Sequence, residues 1–225
     1  TFSLKGENEP FWLKRLETIE KSGLPCLHLS ISPLELAEDF FVWEIATAIA
    51  GYFLKINPFD QPDVELTKKK TREILEQPES SSLEGYLSSE NGKEIEQAIK
   101  SLLFGHHDFS GYISLLVYLP SDDNLNTALD NLARHITDKT HLPCTWNYGP
   151  AYLHSTGQLH KGDSGQGHFL GLFYEDNRQV AIPAEPDWPP TAPSFNHLFR
   201  AQALGDLATL QARKRKVVFL NLKGN

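Results

Sequence analysis

Tyr112-Ile113-Ser114-Leu115-Leu116-Val117-Tyr118-Leu119 is apolar along its length, with Ser114 as its one small polar interruption. Such a run fits a strand covered on both faces, the place of a central strand in a parallel sheet. Helical patterns flank it, over about 93–104 before and an amphipathic stretch over 122–139 after. Further strands are expected at 144–148, 168–174 and 217–222, with a helix over 195–213 before the last. Toward the N-terminus a helix over 10–22 ends at Gly23, and a strand follows over 25–31. Ser32-Pro33-Leu34-Glu35 then starts a helix, with a Ser N-cap, Pro in the first turn and Glu at the capping-box position. That helix runs to about Leu54 with Phe40, Phe41, Trp43, Ile45, Ala46 and Ile49. Its apolar residues reach around much of its circumference, so it is expected to be buried on several sides. Another helix runs from about 62 to 77.

Strands alternating with helices of this length predict an α/β fold, a three-layer αβα sandwich with a mainly parallel sheet. The Ser-, Glu- and Gly-rich stretch between 76 and 92 reads as a long loop or linker. The expected organisation is therefore 1–78, a linker over 79–92, and 93–225 as a further α/β unit or the completion of the same domain.

Composition narrows the function. A chain of 225 residues buries a substantial core. Its net charge of −8 argues against a nucleic-acid binder, which normally presents excess basic charge. The one basic cluster, Arg213-Lys214-Arg215-Lys216, reads as a helix C-terminus entering a strand. Cys26 and Cys144 stand far apart with no metal-ligand spacing, as in a reducing cytoplasm. No apolar run reaches the ~18 residues that a membrane span needs. The chain has no methionine, so it is either a fragment of a longer chain or a sequence from which methionines are missing.

The chemistry concentrates in two segments. In Ile56-Asn57-Pro58-Phe59-Asp60-Gln61-Pro62-Asp63-Val64-Glu65-Leu66-Thr67-Lys68, Pro62 suits a first helical position, and Asp63 and Glu65 favour the helix dipole. Gln61 and Lys68 are about two turns apart, so an amide and an ammonium share one face near a helix N-terminus, which favours anions. That suits a phosphorylated, polyhydroxylated ligand. The same spacing also fits an ordinary capped surface helix, with Lys68-Lys69-Lys70 as a solvated run.

The second segment is Tyr148-Gly149-Pro150-Ala151-Tyr152-Leu153-His154-Ser155-Thr156-Gly157-Gln158-Leu159-His160-Lys161-Gly162. On residue type alone His154 is a helix-start histidine bonded to nearby backbone. His154 and His160 lack the H-E-x-x-H spacing, and His106-His107-Asp108 falls in a loop, so no metal is assigned. Gly162-Asp163-Ser164-Gly165-Gln166-Gly167 is either a phosphate-contacting loop or a flexible turn. No G-x-G-x-x-G follows a strand, which disfavours a dinucleotide-binding domain.

The first segment closely resembles the C-terminal signature of phosphoglucose isomerases, in which an F-D-Q turn leads into a V-E-x-x-K helix. Asn57, Phe59, Asp60, Gln61, Val64, Glu65 and Lys68 fit it. The second resembles the L-H-S-x-G-Q element of some bacterial members. The longer string through Gly162, Ala201-Gln202-Ala203-Leu204-Gly205-Asp206-Leu207 and the stretch from Arg213 are similar to the C-terminal part of bifunctional transaldolase/phosphoglucose isomerases. The resemblance implies a sugar-isomerase (Rossmann-like) fold and interconversion of glucose 6-phosphate and fructose 6-phosphate, a cytoplasmic step of glycolysis and gluconeogenesis. It implies a catalytic Lys68, a His154 that assists ring opening, and a Gln61 that binds sugar. It implies no cofactor and no metal. Its implied partners are the sugar phosphate, an upstream isomerase domain of the same chain and a second copy in a homodimer, with neither nucleic acid nor membrane.

The order of the two elements departs from the family. The histidine element ordinarily precedes the lysine element, whereas here His154 follows Lys68 by 86 positions. Isomerisation also requires a carboxylate base between C1 and C2 and donors for the enediolate and phosphate. No segment resembles the family's catalytic-glutamate element or its Ser/Thr-rich phosphate loop. The expectation is therefore a C-terminal portion of an isomerase, inactive alone, from a transaldolase fusion. The alternative is a non-catalytic sugar-phosphate-binding or assembly domain.

Overall fold

Leu115 and Leu116 lie side by side on one strand and serve two different cores. In the computed structural model the strand is β4 (Tyr112–Tyr118), and every residue from Ile113 to Tyr118 is buried. Ile113, Leu115 and Val117 point into one layer, Leu116 and Tyr118 into the other, as the two-residue period of a strand requires. The structure describes residues 2–4, 9–23, 29–76, 86–88, 92–105, 111–174, 180–182 and 194–222. The expected residues Cys26, His106, His107 and Asp108 lie outside them.

The chain forms two compact units, Thr1–Asp60 and Gln61–Asn225. In the second, β4 is flanked by β5 (Cys144–Tyr148) and β6 (Gly167–Phe173), and β6 by β7 (Lys216–Asn221). The three-residue strand β3 (Tyr86–Ser88) closes the far edge. All pairings are parallel. On one face lie α4 (Gly92–Phe104) and α5 (Asp123–Thr140), through Leu102, Leu103, Leu129 and Ile136. On the other lie α3 (Pro62–Glu76) and α7 (Phe195–Ala212), through Ile74, Leu204, Leu207 and Leu210. This is the expected αβα sandwich. Asp122 caps α5 by accepting from the Leu125 amide at 2.8 Å, and Ser194 caps α7 by accepting from the His197 amide at 3.2 Å. The basic cluster marks the exit from α7 into β7, as expected.

In the first unit, β1 (Phe2–Leu4) pairs in parallel with β2 (Leu29–Ile31), and α1 (Glu9–Lys21) ends at Gly23. The Ser32 capping box forms: Ser32 Oγ accepts from the Leu34 amide, and Glu35 Oε2 accepts from the Ser32 amide. It opens a single 3-10 turn that leads into α2 (Leu36–Leu54). Here the structure corrects the sequence reading. Only Gly51 of α2 is buried, while Phe40 is 61 % exposed, Phe41 62 % and Phe53 76 %. An all-round apolar helix needs cover on several sides, and the described residues leave its side chains exposed. The helix ends on Lys55 in the left-handed conformation (φ +57°), with its amide turned back to the Gly51 and Tyr52 carbonyls. A Cβ at Gly51 would come 2.6 Å from Pro58, so glycine lets the following turn fold against the helix.

Candidate functional site

The first segment begins as a turn and ends as a helix. In the first unit Asn57 Oδ1 accepts from the Phe59 amide at 3.1 Å, an Asn-led turn. In the second unit the Gln61 carbonyl accepts from the Val64 and Glu65 amides as α3 starts. One face of α3 carries Asp63, Thr67 and Ile74 into the interior. Gln61 and Lys68 share the opposite, exposed side, as their seven-residue spacing predicts. Lys68 Nζ lies 2.6 Å from Glu65 Oε1, and this hydrogen bond holds the Glu65 carboxyl below its usual range.

α3 packs along α7, and its backbone approaches closely at Gly205. A Cβ there would meet Thr71 Oγ1 at 2.3 Å and the Thr71 amide nitrogen at 2.9 Å. The start of α3 is tied to two distant segments. Asp63 is 2 % exposed. Its Oδ2 accepts from Gln158 Nε2 at 2.8 Å, its Oδ1 accepts from Arg213 Nε at 2.5 Å, and its amide donates to Gln158 Oε1 at 3.2 Å. The lysine segment and the histidine segment therefore meet, through Asp63 and Gln158.

His154 ends a 3-10 turn (Ala151–His154) after β5, and it is exposed. Among the described residues no hydrogen bond or ion pair joins it to Lys68. The chain continues into α6 (Gly157–Gly162), which carries Gln158, His160 and Lys161 inward. Lys161 Nζ lies 2.6 Å from Asp206 Oδ1, off hydrogen-bond geometry, so the contact is chiefly coulombic. Both side chains are buried. Asp206 Oδ2 accepts from the Tyr152 hydroxyl, which lies 3.1 Å from that of Tyr118. Burial, reinforced by the Asp206 charge, pushes both phenols far up, so they stay protonated. His160 sits among Tyr112, Tyr152 and Phe169, and burial lowers its imidazole to about 4. It is a neutral core histidine.

The Gly162–Gly167 loop is occupied by its own carboxylate. Asp163 accepts from the Gly165 amide at 2.9 Å and the Gly167 amide at 3.2 Å, so those donors are already engaged. Arg215 donates to the Lys161 and Asp163 carbonyls at 2.6 Å each, fixing the end of α6. Among the described residues no group of three or more His, Cys, Asp or Glu is placed to hold a metal ion, and no described helix is long and apolar enough to cross a membrane. Cys144 is half-buried, and its thiol is pushed up to about 11 by burial.

Sequence reasoning picked Gln61, Lys68 and His154 and missed Asp63, Arg213 and the Lys161–Asp206 pair. Lys161 and Asp206 lie 45 positions apart on α6 and α7, and only the fold brings them into contact.

No protein-family profile matches the chain. Short stretches are similar to curated glucose-6-phosphate isomerases. With that of Leptospira interrogans serogroup Icterohaemorrhagiae serovar Lai, identity is 43% over 74 residues, 32% of this chain and 17% of the relative. With that of Leptospira biflexa serovar Patoc it is 39% over 71 residues, 30% of this chain and 16% of the relative. With that of Acholeplasma laidlawii it is 36% over 72 residues, 30% of this chain and 17% of the relative. The matched stretch thus spans less than a fifth of these relatives' length. A crystal structure of a hypothetical protein from Thermus thermophilus aligns with a TM-score of 0.44 at 14% identity, covering 90% of this chain and 48% of that one.

Proposed function

We propose that this chain is the C-terminal part of a glucose-6-phosphate isomerase that carries a transaldolase upstream. The observation that carries the reading is the Asp63–Gln158 contact, which joins two segments that separately resemble isomerase elements. The similarity to curated glucose-6-phosphate isomerases supports the same activity. Lys68 and His154 act on the ring oxygen and anomeric hydroxyl as acid and base during ring opening, and Gln61 hydrogen-bonds the sugar. The carboxylate base and the phosphate loop come from an upstream isomerase domain. His154 reaches its site within one chain or from the second copy of a homodimer, and the enzyme works in the cytoplasm without metal or cofactor.

The test compares the longer parent protein with the purified 225-residue chain. The parent interconverts glucose 6-phosphate and fructose 6-phosphate and carries transaldolase activity, whereas the chain alone turns over neither. Isomerisation by the chain alone would overturn the division of the site. One observation favours a second reading, a non-catalytic sugar-phosphate-binding module: Lys68 is paired with Glu65, and no described contact joins it to His154. A parent that binds sugar phosphate without isomerising it would establish that reading instead.

A further inference from the structure

The first turn of a helix is held weakly, because its amides lack partners within the helix. In α3 that turn carries an unusual set of restraints from outside. Gln158 uses both ends of its amide on one residue: Oε1 accepts from the Asp63 backbone, and Nε2 donates to the Asp63 carboxylate. Arg213 holds the other carboxylate oxygen. The Asp63 carboxylate is buried, and both its oxygens accept hydrogen bonds, one of them charge-assisted from the half-exposed Arg213. The supports are themselves fixed. Gln158 stands on α6, whose Lys161 is buried against Asp206 and whose end is bound by Arg215. Arg213 caps α7, along which α3 packs.

Lys68 lies five residues after Asp63, about 140° around the helix, so Gln158 and Arg213 are on the opposite side from Lys68 and Gln61. We propose that Gln158 and Arg213, acting through Asp63, are positioning residues that fix the first turn of α3 and with it the placement of Gln61 and Lys68. The catalytic part of this inference rests on the isomerase reading above.

The test exchanges the hydrogen-bonding partners. Gln158→Glu sets a carboxylate 2.8 Å from that of Asp63 and breaks the clamp. Adding Asp63→Asn restores complementarity, since the new amide at 63 donates to the new carboxylate at 158, which still accepts from the backbone. In the parent enzyme Gln158→Glu lowers kcat about 10-fold or more and raises KM as Gln61 loses its placement, and Asp63→Asn/Gln158→Glu recovers most of both. In the 225-residue chain, amide exchange at 63–65 rises about 10-fold in the single variant and returns in the double variant, while β4 amides stay protected. If Gln158→Glu fails to fold, Gln158→Ala removes the same two bonds without adding charge and gives the same readouts. Wild-type kcat in the single variant, no recovery in the double variant, or unchanged exchange at 63–65 would overturn the clamp. A wild-type parent without isomerase activity would overturn the isomerase reading, and the exchange measurement would still decide the clamp on its own.

Discussion

α2 and β4 are both rich in large apolar residues, and their fates are opposite. β4 is buried from Ile113 to Tyr118, while α2 leaves Phe40, Phe41, Trp43, Ile49 and Phe53 exposed. Composition states a demand for cover, and neighbours decide whether it is met. β4 has a strand on each side and helices above and below, all within the second unit. The second unit also holds a buried polar network, in which Lys161, Asp206, Tyr152 and Tyr118 are connected.

The largest break in this comparison comes from the buried pair. Lys161→Met leaves Asp206 buried without its cation, and the denaturation free energy falls by about 3–5 kcal/mol. Leu116→Ala, in the core of the same unit, costs about 2–5 kcal/mol by the same measurement. Acid probes the polar interior. His160 has a folded value of about 4 against an ordinary 6.5, so the unfolded chain binds more protons between those values. Stability is full above pH 6.5 and falls by up to about 3 kcal/mol as pH drops to 4; denaturation curves of His160→Leu lose that slope. The smallest effect belongs to α2. Phe41→Ser in the 225-residue chain changes stability by less than about 0.5 kcal/mol, because the ring loses little burial. A loss comparable to that of Leu116→Ala would erase the distinction between the two regions.

The main strands and helices of the sheet were legible because local patterns encode them: an apolar run for β4, an amphipathic period for α5, a basic exit for α7. β1 and β3, at three residues each, are too short to show a period. The exposure of α2 was not legible, since all-round apolarity specifies a need and not a partner. Gln61 and Lys68 share a face as spacing predicts. The ties of Asp63 to Gln158 and Arg213 span 95 and 150 residues, beyond the reach of any local periodicity. By composition the Gly162–Gly167 loop reads as either a phosphate-contacting loop or a flexible turn, and Asp163 occupies its Gly165 and Gly167 amides.

The most direct test of the account is steady-state isomerase kinetics of the parent protein, comparing wild type with Lys68→Ala and with His154→Ala. Both substitutions fall on exposed side chains, so the fold is retained. Each substitution lowers kcat for glucose 6-phosphate about 100-fold or more. Wild-type rates in both variants would contradict it, and would mean that this region supports a site built elsewhere.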